Sequence, residues 1–364
     1  MGQQFEFKLN LQQADPRLRR FDTLASQTGL PMLIEADAQP RGNPVPVKAR
    51  RAILPRDIAA EDAFRLTLLQ CKWHIASNIA AIVDGHAVEG IHQMRVGFRR
   101  LRVALTSFGG DFRTPALEAL RARAQKLSAK LGPARDLDVF VEELLEPAAT
   151  ANGAVEAFDL LRQRAAEARH TAWNYAVTHV QSPAFGSFMH DLGDALDRRI
   201  WFEATGRTHA TRGHMAFEMP AIEIADRMLT HRLEDVKKRA RRMKHLSDEK
   251  RHRLRIALKK LRYTSEFFAP LYGEEEVSHF LKKLSNLQDI LGTLNDVAVA
   301  RETLKMLTDN SEKSSASNRA ALSFAAGIVY GWHLDRASHI WKKARRRWKQ
   351  LDRSDLFWQS EALH

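Results

Sequence analysis

The sequence predicts an all-α protein built as two similar helical bundles, and three observations carry that prediction. From Ile58 onward apolar residues return every three or four positions, as Phe64, Leu68, Cys71, Ile75, Ile79 and Ile82 do, which is the period of an amphipathic helix. Beyond residue 57 no stretch reads as a credible strand. Finally, the chain repeats itself. "HQMRVGFRRLRVALTSF" (92–108) lies over "HRLRIALKKLRYTSEFF" (252–268) at an offset of 160, and "LGPARDLDV" (131–139) lies over "LGTLNDVAV" (291–299) at the same offset with no gap. Two separate motifs sharing one offset mark a duplication, whose halves would pack about a pseudo-twofold axis.

Residues 1–57 open the chain differently, because Pro31, Pro40, Pro44, Pro46 and Pro55 forbid a long helix there and leave an extended arm. After the helix that starts near Ile58, the pattern gives helices at about 87–108, 114–131, 134–149, 154–180 and 184–202. A break at "EATGRTHATRGH" (203–214) precedes a second set at about 219–245, 247–269, 274–290, 294–308 and 318–350. The polar run "DNSEKSSASN" (309–318) reads as a loop. The expected domains are therefore an arm (1–57), a first bundle (58–210), a second bundle (211–352) and a tail (353–364). In "HIWKKARRRWKQ" (339–350), Trp341 and Trp348 share one helix face and are expected to close the second bundle.

Composition bounds the partners. The 364 residues hold 57 Lys and Arg against 44 Asp and Glu, a formal charge of +13, and such a surplus concentrates polyanions around the chain. A lone cysteine, Cys71, precludes an internal disulfide and suits a reducing cytoplasm. Charged residues interrupt "MGQQFEFKLN" before any signal-peptide core forms, and no apolar run is long enough to span a membrane, so an internal soluble protein is expected.

The charge is patterned. His92 and His252, which open the two matched segments, are each followed at positions three, seven, eight and ten by Arg or Lys. At 100° per residue, His92, Arg95, Arg99 and Arg102 fall on one stripe, as do His252, Arg255, Lys259 and Arg262. Each row is roughly 15 Å long, which suits an extended polyanion better than one small phosphate. Met94, Phe98, Leu101 and Leu105, and in the second copy Leu254, Leu258 and Leu261, form the adjoining apolar stripe that would anchor each helix. An ordinary solvated helix mixes signs, because like charges at i,i+4 repel. No acid occurs between His92 and Gly110, or between Lys250 and Ser265, so the compensating charge is expected from outside the chain. Arg100 and Lys260 lie about 100° round the helix and are placed at the rim. Arg135 and Lys283 are further binding candidates. Crowded cations should depress the histidine pKa values, and bound phosphate should raise them again. Gly132–Asp136 and Gly292–Asp296 read as a helix end followed by a first-turn carboxylate, with orientation of a neighbouring Arg or Lys as the alternative.

At these residues the sequence resembles a known family. H-x-x-R-x-x-x-R-R-L-R (92–102), L-G-x-x-R-D-x-D-V (131–139), H-x-L-R-x-x-L-K-K-L-R-Y (252–263) and L-Q-D-x-L-G-x-L-N-D (287–296) look like the signature segments of the conserved histidine α-helical domain, or CHAD, over about residues 58–350. The resemblance implies two pseudo-twofold-related four-helix bundles with basic helices lining a central groove or pore. It also implies binding of inorganic polyphosphate and, as in several bacterial members, association with polyphosphate granules. The residues that carry it over are His92, Arg95, Arg99, Arg100 and Arg102, with His252, Arg255, Lys259, Lys260 and Arg262. "FEFKLNL" (5–11) and "VPVKARRAIL" (45–54) look like the ends of a CYTH-type triphosphate tunnel domain, but the motif E-x-E-x-K reads Gln4-Phe5-Glu6-Phe7-Lys8 here. About 40 residues leave no room for its metal-binding carboxylates, so the arm is read as a relic, with no enzyme activity, metal or cofactor expected.

The sequence thus points to a non-catalytic polyphosphate-binding module. A nucleic-acid binder is the alternative, disfavoured because Tyr263 is the only aromatic in the stripes that could stack on a base. A residual triphosphate or polyphosphate hydrolase is the weakest reading, and acidic membrane contact by the 339–350 helix ranks below its packing role.

Overall fold

A computed structural model describes residues 44–108, 114–153, 156–203, 217–243, 246–309 and 315–359. The strand-like 5–11 segment, most of the expected arm, and nearly all of the 203–214 break lie outside them, as does the middle of the 309–318 run. The described residues are all-α, with one isolated antiparallel bridge between Ala59 and Pro220. In chain order the helices are α1 (Ala60–Ala76), α2 (Ile79–Val83), α3 (Val88–Ser107), α4 (Pro115–Lys130) and α5 (Gly132–Val139). A π-helical turn (Phe140–Leu145) leads to α6 (Glu146–Asn152), α7 (Glu156–Val180), α8 (Pro183–Arg198) and α9 (Ile200–Glu203). The second half has α10 (Ala221–Ala240), α11 (Asp248–Phe268), a 3₁₀ turn (Ala269–Leu271), α12 (Glu274–Asp309) and α13 (Ala316–Asp352).

Helix boundaries follow local chemistry. Thr114 and Ser182 accept hydrogen bonds from the amides three residues on, each beside a proline in the first turn; Ser247 and Ser315 cap α11 and α13 the same way. Proline also explains why two equivalent stretches look different. Pro133 and Pro183 begin α5 and α8, so the first half breaks there. Their offset mates are Thr293 and Lys343, and there α12 and α13 run through unbroken. The expected separate helices at 274–290 and 294–308 are one, and Gly292 ends nothing.

Pairwise packing repeats as well. α1 lies on α3 as α10 lies on α11, α3 lies on α4 as α11 lies on α12, and α3 and α11 touch each other. The predicted stripe is the buried one: Met94, Phe98, Leu101, Leu254, Leu258 and Leu261 are all fully buried. Gly97 lets α1 approach closely, since a Cβ there would sit 2.8 Å from the Ile75 side chain. Another core crosses the halves: Phe140, Leu144, Leu145, Phe158 and Leu161 pack with Leu304, Leu307, Leu322 and Val329. Residues 44–59 hold no helix but bury Ala52, Leu54 and Ile58, and Trp341 is buried with the Arg251 guanidinium 4.3 Å over its ring.

Candidate functional site

Because α3 and α11 bury their apolar stripes, their basic stripes must face elsewhere, and both face one cavity. A space of about 360 Å³ is lined by His92, Arg95 and Arg99 of α3, His252, Arg255 and Lys259 of α11, Arg135 and Asp136 of α5, Glu143 of the π turn, and Asn295 and Asp296 of α12. A second space, of about 690 Å³, shares His92, Arg99, Glu143, Arg255, Lys259 and Asp296 with the first, so the two adjoin. Arg262, Arg100 and Tyr263 line it farther on. Seven of the twelve candidate residues thus meet at the smaller cavity, with Arg100 and Arg262 added at the larger.

The hydrogen bonds hold this arrangement open. Arg95 Nη1 donates to the Ser128 carbonyl at 3.0 Å, passing over Gly132, where a Cβ would lie 3.2 Å from that nitrogen. This close passage, rather than helix termination alone, accounts for the glycine. Arg99 donates to the Tyr263 hydroxyl at 3.3 Å across the two repeats. Arg102 reaches Gln125 at 3.3 Å and Arg262 reaches Ser285 at 3.4 Å, and Gln125 and Ser285 are themselves offset mates.

Electrostatics set the cavity apart. Burial, then Arg99 and Arg255, push the Lys259 ammonium down to about 6, with Asp296 opposing, and Lys259 forms no ion pair with a described residue. Burial, then Arg135, push the His92 imidazole down to about 4, in the direction expected from crowded cations. Arg255 is likewise pushed down by burial, and its Nε is buried without a hydrogen-bond partner. The acids respond oppositely: burial raises Asp136, which Arg95 partly counters, and Asp296, which Arg255 partly counters. Glu143 is raised by burial and then by Asp296. Four guanidinium groups (Arg95, Arg99, Arg135, Arg255), joined by Lys259 when it is protonated, face three carboxylates in one partly open space, where Arg135 meets Glu143 at 3.7 Å, and the surplus is one that an incoming polyanion would offset.

Several expectations change. Arg100, placed at the rim, is instead buried and ion-paired with Glu266 of α11, its guanidinium 5.0 Å over the Phe267 ring. Glu266 also accepts from Arg262 at 2.8 Å, so part of each basic row is neutralised from within the chain. Arg102, Lys260 and Lys283 line neither cavity. Lys260 sits instead near Arg232, Asp235 and Arg239. Asp136 and Asp296 are not first-turn carboxylates: Asp136 is the fifth residue of α5, Asp296 is mid-helix, and both line the cavity facing Arg95 and Arg255. His252 is exposed and meets Asn295 Oδ1 at 3.0 Å. Tyr263 is buried, so its ring offers no open stacking face. The sequence reading missed Glu143, which lines both cavities from the π turn with no pattern to announce it, and Lys48, Arg50 and Arg51, which line the larger cavity from the segment before α1. Among the described residues no helix is both long and apolar enough to cross a membrane.

Comparison with known proteins gives the family and the fold. The CHAD domain family matches residues 67–305. Two Mycobacterium tuberculosis proteins, named Uncharacterized protein MT2285 (strain CDC 1551 / Oshkosh) and Uncharacterized protein Rv2226 (strain ATCC 25618 / H37Rv), are each 28% identical over 286 residues, 75% of this chain and 50% of theirs. The chain spans about half the length of these curated relatives. The crystal structure of the CHAD domain from the plant Ricinus communis superposes with a TM-score of 0.69 at 31% identity, covering 86% of this chain and 99% of that one. PptA from Streptomyces chartreusis shares the fold, with a TM-score of 0.59 at 15% identity over 82% of this chain and 100% of that one.

Proposed function

The chain belongs to the CHAD domain family, and on that footing we propose that it binds inorganic polyphosphate in the cavity between α3 and α11, without hydrolysing it. The observation that carries this reading is the convergence of Arg95, Arg99, Arg255 and Lys259, from both copies of the repeat, on one cavity. Arginine forks would grip phosphate oxygens in pairs, and Lys259 would add point charge once it is protonated. His92 and His252 at the cavity edge would donate to further oxygens. The contact of Phe108 with its offset mate Phe268, ring centroids 5.1 Å apart, supports reading the halves as related by a pseudo-twofold axis, which would present equivalent cations to a ligand that is itself a repeat. We further propose that this binding directs the protein to cytoplasmic polyphosphate granules.

Calorimetric titration of long-chain polyphosphate tests the reading. Submicromolar affinity that falls steeply with salt is expected, as counterions are released from the polymer. Joint charge reversal of Arg99, Arg255 and Lys259 should abolish binding while the helical circular dichroism persists. Duplex DNA and RNA should fail to displace polyphosphate at equal phosphate concentration, and phosphate release with Mg²⁺ or Mn²⁺ should stay at background. Retained affinity in the triple variant would refute the cavity assignment.

A further inference from the structure

The segment before α1 carries three cations that neither basic helix accounts for. Lys48, Arg50 and Arg51 line the larger cavity, which opens off the smaller one through Arg99, Arg255 and Lys259. This stretch is not helical, yet it is pinned. The Val47 amide donates to Asn78 Oδ1 at 3.0 Å, and Asn78 Nδ2 donates to the Val47 carbonyl at 2.9 Å. Asn78 is fully buried, and just beyond the cations Ala52 and Leu54 are buried in turn. The Arg50 guanidinium lies 4.8 Å over the Trp73 ring of α1, which limits its freedom. Lys48 and Arg51 are exposed and form no ion pair with a described residue. A fixed, open row of like charge beside the mouth of a cationic cavity is unfavourable alone and favourable beside a polyanion.

We propose that Lys48–Arg51 is a second subsite, one that engages the stretch of polyphosphate emerging from the helical cavity and so makes affinity depend on chain length. It rests on the polyphosphate reading above and adds to it a length sensor outside the repeat. A short oligomer satisfies the buried cluster alone, whereas a longer polymer continues through the larger cavity and along the segment.

The experiment compares wild type with a Lys48→Ala, Arg50→Ala, Arg51→Ala variant against inorganic tripolyphosphate and long-chain polyphosphate by calorimetry. The expected result is a loss of roughly tenfold or more for the long chain, a salt slope shallower by about 3, and unchanged tripolyphosphate affinity. Arg51→Glu alone, which leaves the Arg50–Trp73 contact in place, should weaken only the long chain. Unchanged long-chain affinity in both variants, or equal loss of both ligands, overturns the subsite while leaving the cavity reading intact. Wild-type protein that binds neither ligand overturns both.

Discussion

The α3 and α11 regions carry the same four charges at the same offset, yet hold them differently. In the α3 copy the row is tied down: Arg95 is bonded to the Ser128 carbonyl, and Arg100 is buried against Glu266. In the α11 copy Arg262 is paired with Glu266, but the three positions before it are left more open: Arg255 keeps an unpartnered Nε, Lys259 has no ion pair with a described residue, and His252 reaches solvent. A duplicated sequence has given one copy a structural share of the charge and the other a share poised to respond. The ties cross between copies, since Glu266 and Tyr263 of α11 hold Arg100 and Arg99 of α3.

The largest effect should come from removing that cross-tie. Glu266→Ala leaves the buried Arg100 without its carboxylate, and breaking such a pair costs about 3–5 kcal/mol, readable as a lowered urea midpoint. Lys260→Ala, at the offset mate of Arg100, should stay within about 0.5 kcal/mol, because it makes no equivalent pair. Similar losses for both would erase the asymmetry.

Next comes proline. Thr293→Pro copies the first half's break into unbroken α12 and should cost about 3 kcal/mol, while Pro133→Thr should cost under about 1 kcal/mol, since a helix start tolerates either residue. Thermal unfolding of the two variants checks this directly. A smaller effect lies in pH. Lys259 of the empty cavity ionises at about 6, far below an ordinary lysine, so above that pH it is mostly neutral. A bound polyanion draws the proton back, so binding takes up a proton and weakens as pH rises above about 6, by up to about tenfold per unit. The sign reverses for the empty protein: the unfolded chain holds that proton and the folded one does not, so Lys259 makes stability rise with pH from about 6 toward the ordinary lysine range. Calorimetry in buffers of different ionisation enthalpy should show the proton uptake, and Lys259→Met should reduce it to the share that His92 takes up. The smallest expected effect is His252→Ala, with polyphosphate affinity within about twofold of wild type, since the exposed ring adds one peripheral contact; a larger loss than for His92→Ala would invert the comparison.

Much of this was legible in the sequence. The helical period and the matched offset pointed to the all-α fold, and the unneutralised stripes named His92, Arg95, Arg99, His252, Arg255 and Lys259, which do meet. Arg100 was misplaced because its partner, Glu266, is 166 residues away, and only the crossing of α3 and α11 joins them. The cavity acids were misread because helix-end rules concern local backbone, while Asp136 and Asp296 act across space on Arg95 and Arg255. The continuous α12 could have been read from Thr293 standing where Pro133 does. The cations at 48–51 gave no periodic signal, because a non-helical segment has no face to count.

The central claim is that both basic helices serve a single site. Titrating tripolyphosphate into wild type, Arg95→Glu and Arg255→Glu and reading stoichiometry as well as affinity tests it most directly. One site per chain, lost when either helix alone is reversed, is the predicted result. Two sites per chain, or one that survives reversal of either helix, would contradict it.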